Sequence, residues 1–369
     1  MACDMDLSFL RALYDRPGPF ASVYLDMRRT EDPRAVEVRR HVQCKELADQ
    51  GAPPETIAAV ERVVRDEKER RESGCLAVFA CGGEVAYAVL LDGPPREEVA
   101  RYAPLPHVVP LLEQRGEPVS RLVAVVNRLG ANLTCVAADG TRWGAVVPPS
   151  VEAPVHKPKG GDMFRQPHVQ QAAEEAWRAN AKKTARVIDQ TVGSCGFELV
   201  VIAGDVRERA AVLEQLSEPV LARTVESRAG GPGLDADVAE TVRRTRAARM
   251  TSAVERFNEQ LRKGRRAVDG LRPVVGALRN AQVASLLIDG RADAGTPVWT
   301  GPRCTDLATS PDELRDRGVA DPVPDRADAA LVRALAGTDG ELLLITLDDW
   351  RAYQGLGALL RYGDRAAVP

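Results

Sequence analysis

The sequence predicts an α/β protein with three mixed α/β domains in series. Three observations predict it. Short apolar runs such as "FASVYLDM", "RLVAVVN" and "FELVVIAGD" alternate with segments whose apolar residues recur at helical spacing. The chain has 369 residues, too many for one ordinary domain. A Gly- and Pro-rich stretch, "RAGGPGLDAD", separates two periodic regions and reads as a linker. The expected divisions are 1–118, 119–233 and 234–369.

In the first segment a short helix, Leu7–Tyr14, is stopped by "DRPGP", and a strand with alternating apolar positions follows at Phe20–Met27. "DPRAVEVRRHVQCKELADQ" reads as a helix capped by Asp32, with Pro33 at its first position. A second helix, "PPETIAAVERVVRDEKERRES", has Ile57, Val60, Val63 and Val64 as its apolar stripe. "GCLAVFA" and "EVAYAVLL" form a hairpin through Gly82-Gly83.

The second segment opens with two strands around a polar turn at Asn127–Gly130, and "WGAVVP" is a third. A helix from about Pro167 to Val192 precedes the continuous apolar strand Phe197–Asp205 and the helix "VRERAAVLEQL". Strand–helix alternation of this kind predicts a mixed or parallel sheet covered by helices. The third segment starts with a long Arg-rich helix, from about Ala236 to Gly264. "ALRNAQVASLLIDG" is a helix leading into a buried strand, "GTPVWTGPRCTDLATSPDELRDRG" reads as loop-rich, and "DRADAALVRALAGTDGELLLIT" is helix, turn, strand. "GLGALLRY" is the last strand.

Composition narrows the function. Apolar residues are 44% and charged residues 28% of the chain, enough for sizeable cores. A formal charge of −3 excludes wholesale neutralisation of nucleic acid, and no DNA partner is expected, but local basic patches remain open. Aromatic residues are only 4%, which argues against a broad surface of stacked bases. Neither a secretory signal nor a membrane-spanning run is evident, so a cytoplasmic protein without a membrane partner is expected. Seven cysteines are scattered, never as C-x-x-C, and read as reduced thiols; Cys75 and Cys81 share one strand face as core residues.

The stretch that carries chemistry is "HKPKGGDMFRQPHVQQAAEEAW", beginning at His156. Two adjacent glycines, Gly160 and Gly161, permit positive φ and let backbone amides approach a ligand closely. Lys157, Lys159 and Arg165 surround the pair, which suits phosphate or RNA backbone. In the helix behind, Val169, Ala173, Ala176, Trp177, Asn180, Thr184, Val187 and Ile188 mark the inner face. Glu174, Arg178, Lys182 and Arg186 recur every fourth residue on the outer face. Its cations repel one another, so helix stability alone does not account for them. An anion-binding helix and an ordinary solvated face both remain open.

Other chemistries fit poorly. His156 and His168 lie twelve positions apart with only Asp162 as a third ligand, so no metal or other cofactor is expected. The spacing is not that of a phosphate-binding P-loop, and nucleophile-elbow and zinc-protease motifs are absent. Asp162 is the one candidate base in the loop, and a lone exposed carboxylate beside lysines is fully ionised and weakly basic.

The basic loop, the Gly-Gly pair and the helix running to "NAKKTARVID" resemble the middle domain of the archaeo-eukaryotic class-one peptide release factors and Pelota. "FELVVIAGD" and "GLGALLRY" are similar to the family's strand–helix unit downstream of that loop and to its C-terminal Gly-rich strand. The resemblance covers residues from about 121 onward, and the N-terminal segment by domain order. It implies that the loop, His156, Lys157, Lys159, Gly160, Gly161, Asp162, Met163, Phe164, Arg165, Gln166 and His168, reaches the ribosomal peptidyl-transferase centre. Arg178, Lys182, Lys183 and Arg186 would then meet rRNA phosphates, with Arg243, Arg244, Arg262 and Lys263 as a secondary basic surface. The N-terminal domain would lie on the decoding-centre side and the C-terminal domain would face a translational GTPase.

Two departures qualify the implied activity. Asp162 stands where the family carries its catalytic glutamine, and the stop-codon-reading Asn-Ile-Lys-Ser tetrapeptide is absent. Such losses are similar to those of a bacterial branch that includes the Balon-type ribosome hibernation factors and actinobacterial stress-associated relatives. The expectation is a non-catalytic factor in the ribosomal A site, touching 23S and 16S rRNA, with elongation factor Tu as a possible companion. Two other readings stay open. One is a peptidyl-tRNA hydrolase, for which Gln166 is the nearby glutamine; the other is a stress protein binding RNA or protein away from the ribosome.

Overall fold

The structure, a computed structural model, describes residues 7–28, 34–70, 74–116, 118–138, 140–150, 166–229, 231–289, 296–346, 350, 352 and 355–362. It is a mixed α/β protein. Its described elements divide into two compact units, one within residues 118–249, the other formed by those up to residue 116 and from residue 250 onward.

The second unit begins with a 3-10 turn, Ser8–Leu10, running into α1 (Arg11–Tyr14). Then come β1 (Phe20–Asp26), α2 (Ala35–Asp49), α3 (Pro54–Arg70), β2 (Cys75–Cys81), β3 (Glu84–Leu91), β4 (Val99–Ala103) and α4 (Val109–Arg115). The strands form an antiparallel sheet in the order β3-β2-β1-β4. β1 is central and buried along its whole length, at the polar as well as the apolar positions of its alternating pattern. The reason is that both faces of the sheet are covered. Ala21, Val23 and Leu25 join the α2–α3 side with Val60 and Val64, whereas Phe20 and Tyr24 point into the opposite core with Cys75, Phe79 and Cys81. Gly82 and Gly83 make the β2–β3 turn with φ of 55° and 77°, the left-handed conformation that favours glycine there. Helix α2 starts at Ala35 behind Arg34, which makes no side-chain cap; the expected cap at Asp32 and Pro33 falls outside the described residues.

The first unit holds β5 (Arg121–Asn127), β6 (Gly130–Val136), β7 (Arg142–Val147), α5 (Gln166–Cys195), β8 (Leu199–Ala203), α6 (Val206–Leu213), α7 (Glu218–Leu221) and β9 (Thr224–Glu226). Its sheet runs β7-β6-β5-β8-β9, with β8 parallel to both β5 and β9, as strand–helix alternation predicts. α5 and α6 seal one face through Ala181, Ala185, Ile188 and Val212. Leu234, Val238 and Val242 pack on Val119, Val123, Leu199 and Val201 of the other face. These three belong to α8 (Pro232–Arg262), which begins inside the stretch read as a linker. Proline in the first helical turn removes an amide that would have no partner there, so Pro232 starts the helix without cost. The division between units falls within α8, after Arg249.

The second unit resumes with Met250 and the remainder of α8, followed by β10 (Ala267–Asp269), α9 (Leu271–Arg279), β11 (Val283–Asp289), β12 (Pro297–Thr300), β13 (Leu307–Ala308), α10 (Pro311–Arg315), β14 (Val323–Arg326), α11 (Ala327–Gly337), β15 (Glu341–Ile345) and β16 (Leu356–Leu360). Two sheets form, β10-β16-β11-β15 and the small β13-β12-β14. In the second, β12 and β13 lie in the stretch read as loop-rich and β14 follows it. Its strands come from separated segments, and Pro324 is accommodated opposite Trp299. β16 is buried on both sides, and Gly357 has a packing reason: a Cβ there would lie 2.6 Å from the ring of Phe257 of α8. The core shared by Phe20, Phe79, Leu111, Leu278, Leu331 and Leu342 joins the two ends of the chain into one body.

Candidate nucleic-acid interface

The residues of the Gly-Gly stretch from His156 to Arg165 lie outside the described residues, as do the side chains of Gln166 and His168. What is described is how the chain is held on either side. β7 ends at Val147, and the next residues are tied to α5. Asn180, 3% exposed, accepts from the Ser150 amide through Oδ1 at 2.7 Å. Its Nδ2 donates to the Arg128 carbonyl at 3.0 Å. Lys183 Nζ donates to the carbonyls of Pro148 at 2.8 Å and Pro149 at 3.4 Å. A buried amide that bonds two backbone segments, with an ammonium capping two carbonyls, fixes the β7 exit against the middle of α5. The Asn127 side chain closes the neighbouring β5–β6 turn by accepting from the amides of Leu129 and Gly130.

The faces of α5 fall as its periodicity predicts. Ala176, Asn180, Thr184 and Ile188 are buried and Trp177 and Val187 are half-buried, while Glu174, Arg178, Lys182 and Arg186 are exposed. Val169 and Ala173 lie where side chains are not described. Pairing then separates the cations. Lys183 serves the β7 exit. Among the described residues Arg178, Lys182 and Arg186 have no carboxylate in salt-bridge range, whereas Arg128 pairs with Glu208 and Arg209 with Glu226 in the same unit.

Of the secondary basic surface, Arg243 and Arg244 both pair with Glu240, and Lys263 pairs with Glu259. Arg262 donates to the Asn258 carbonyl. Arg243 and Arg244 belong to the first unit, Arg262 and Lys263 to the second. Each is exposed but largely engaged along its own helix.

Two further basic features escaped the sequence reading. Arg121 of β5 is half-buried, and burial first, then Arg142 of β7 and Arg246 of α8, depress its pKa. Register explains part of this, since Arg121 and Arg142 both sit opposite Val136. Arg207 lies in the first turn of α6, beside Arg178 and Lys182, around a groove of 510 Å³. A cation at that end of a helix opposes the macrodipole, the one signal in the sequence that could have marked it.

No group of three or more His, Cys, Asp and Glu side chains capable of holding a metal occurs among the described residues. Cys44, Cys75, Cys81 and Cys135 are buried free thiols, and Cys195 and Cys304 are also unpaired. Cys75 and Cys81 share the same core, as their spacing on one strand predicts. No helix among the described residues is long and apolar enough to cross a membrane.

Residues 120–263 match bacterial archaeo-eukaryotic release factor family 2. Uncharacterized proteins from two strains of Mycobacterium tuberculosis are 31% identical over 371 residues, spanning 96% of this chain and 96% of each relative. Among solved structures, Archaeoglobus fulgidus Pelota is 13% identical, covering 97% of this chain and 93% of its own, with a TM-score of 0.36. A ribosome-bound archaeal Pelota is 13% identical over 98% of this chain and 95% of its own, with a TM-score of 0.39. An archaeal translation termination factor is 17% identical over 96% of both chains, with a TM-score of 0.24. The chain belongs to the bacterial archaeo-eukaryotic release factor family.

Proposed function

We propose that the protein is a non-catalytic ribosome-binding factor that occupies the A site and extends its Gly-Gly segment toward the peptidyl-transferase centre, acting in hibernation or translational stress. The observation that carries this reading is the cationic row Arg178, Lys182 and Arg186, which has no carboxylate partner among the described residues, on the helix to which the β7 exit is tied. Such a row costs repulsion in the free protein and is relieved by phosphates. Membership of a release-factor family supports the ribosome as the source of those phosphates. Asp162 in place of the family's glutamine supports the absence of hydrolysis, because an anion there is a poor water-positioning group beside an ester flanked by RNA phosphates. The rRNA contacts would be to 23S rRNA around α5 and 16S rRNA from the N-terminal sheet, with elongation factor Tu as a delivering partner.

Co-sedimentation with vacant 70S ribosomes in low salt, with and without elongation factor Tu, tests the reading. The expected result is a shift into the ribosomal fraction, and a protein that stays in the supernatant under both conditions overturns it. Peptidyl release from a stalled complex is expected to be absent for the wild type. Release by the wild type would establish the hydrolase reading in its place.

A further inference from the structure

We infer that the groove between α5 and α6 is a nucleotide-binding site that takes one phosphate-linked, unstacked nucleotide of a single-stranded RNA. The inference rests on the RNA-facing reading of α5 and adds to it a second helix, a pocket and a base contact. The groove has a volume of 510 Å³, room for a nucleotide, and its walls differ in character. Arg178 and Lys182 stand on the α5 side and Arg207 on the α6 side, all exposed. Glu214 is the one acid among its described lining residues. None of the three cations has a carboxylate partner among the described residues. Ala181 and Ala211 line the groove between them, and Trp177, half-buried, lines it from α5.

Three features of this arrangement favour RNA over a protein strand or a free anion. Cations facing each other across a groove match a backbone that carries charge at every step. An indole beside short alanines leaves a flat apolar surface on which one base can stack, and a single stacking site is compatible with the chain's few aromatic residues. Arg207 occupies the first turn of α6, where the helix dipole disfavours a cation. That placement adds to the positive potential at the groove, on the helix whose N-cap Asp205 accepts from the Arg207 amide.

A fluorescein-labelled oligoribonucleotide of ten uridines, titrated with the full-length protein at several salt concentrations, tests the inference. Wild type is expected to bind with a steep salt dependence. Arg207→Gln is expected to weaken binding several-fold and to reduce the slope of log affinity against log salt by about 0.7, the value for one phosphate contact on a single strand. Trp177→Leu is expected to lower affinity about 5- to 100-fold without changing that slope, while Trp177→Phe keeps most of it. Circular dichroism of each variant establishes that it is folded. No binding by wild type, an unchanged slope in Arg207→Gln, equal affinity in Trp177→Leu and wild type, or equal displacement by a polyglutamate peptide each overturns the site.

The same variants in the ribosome sedimentation assay separate the two proposals. If wild type sediments with ribosomes but Arg207→Gln binds the oligonucleotide as wild type does, the groove fails and the ribosomal reading stands. If wild type binds the oligonucleotide through Arg207 yet never sediments with ribosomes, the groove stands and the ribosomal reading fails.

Discussion

The backbone amide of Ser150 donates to the buried side chain of Asn180 at 2.7 Å, so the segment that follows β7 is registered on the central turns of α5. The same side chain donates to the Arg128 carbonyl. Asn180→Ala removes both bonds and leaves two backbone groups to find new partners. A loss of about 1–3 kcal/mol in urea denaturation is expected. Hydrogen exchange at the Ser150 amide should accelerate more than that of amides within β8.

Lys182 and Lys183 are adjacent in sequence and opposite in role. Lys183→Ala should lower stability by about 1 kcal/mol because the carbonyls of Pro148 and Pro149 lose their donor. Lys182→Glu should alter stability by no more than about 0.5 kcal/mol, yet flatten the salt dependence of ribosome binding. Parallel denaturation and sedimentation series on the two variants check both halves; equal behaviour would contradict the assignment.

Gly130 opens β6 with φ of 154°, and a Cβ there would lie 1.9 Å from the Val147 carbonyl of β7. Both the conformation and the close approach require glycine. Gly130→Ala is expected to destabilise the first unit by at least about 2 kcal/mol. A thermal melt of the variant provides the measurement.

His107, buried among residues from both ends of the chain, predicts an acid-side loss of stability. Burial pulls its pKa from the ordinary 6.5 to about 4, with Arg326 and Arg101 acting in the same direction and Asp328 opposing. The unfolded chain takes up the proton near 6.5 and the folded chain only near 4, so the unfolded state binds more protons between those values. Stability from this group is complete above 6.5 and falls as pH drops through the window, by about 3 kcal/mol in all. Asp325, whose carboxyl is raised mainly by burial, works in the opposite sense and offsets part of it. Urea midpoints at pH 7.0, 5.5 and 4.5 should show the fall, and His107→Gln should make it shallower.

Legibility from sequence followed local chemistry. The Gly82-Gly83 turn, the Val60 and Val64 stripe and the exposed row through Arg178, Lys182 and Arg186 are set by spacing alone, and each is where periodicity puts it. The strand β4, the small sheet around β12 and the early start of α8 were not legible in the same way. Each depends on partners distant in the chain: β4 on β1, β12 on β14, and the first turns of α8 on Val123 and Val201. The same limit applies to the interface. Asn180 was readable as an inner-face residue, but its partners Ser150 and Arg128 were not. Arg207 joins Arg178 and Lys182 only because α6 packs beside α5.

The core that joins Phe20 and Phe79 to Leu331 and Leu342 has a consequence for biosynthesis. Residues 118–249 are contiguous and can close their sheet as soon as they have emerged during translation. The other unit cannot: its N-terminal sheet must wait, with one apolar face open, until β16 at Leu356–Leu360 has been made. A nascent chain arrested between those points is therefore half folded and sticky, and chaperone dependence should peak for truncations ending between about residues 250 and 355.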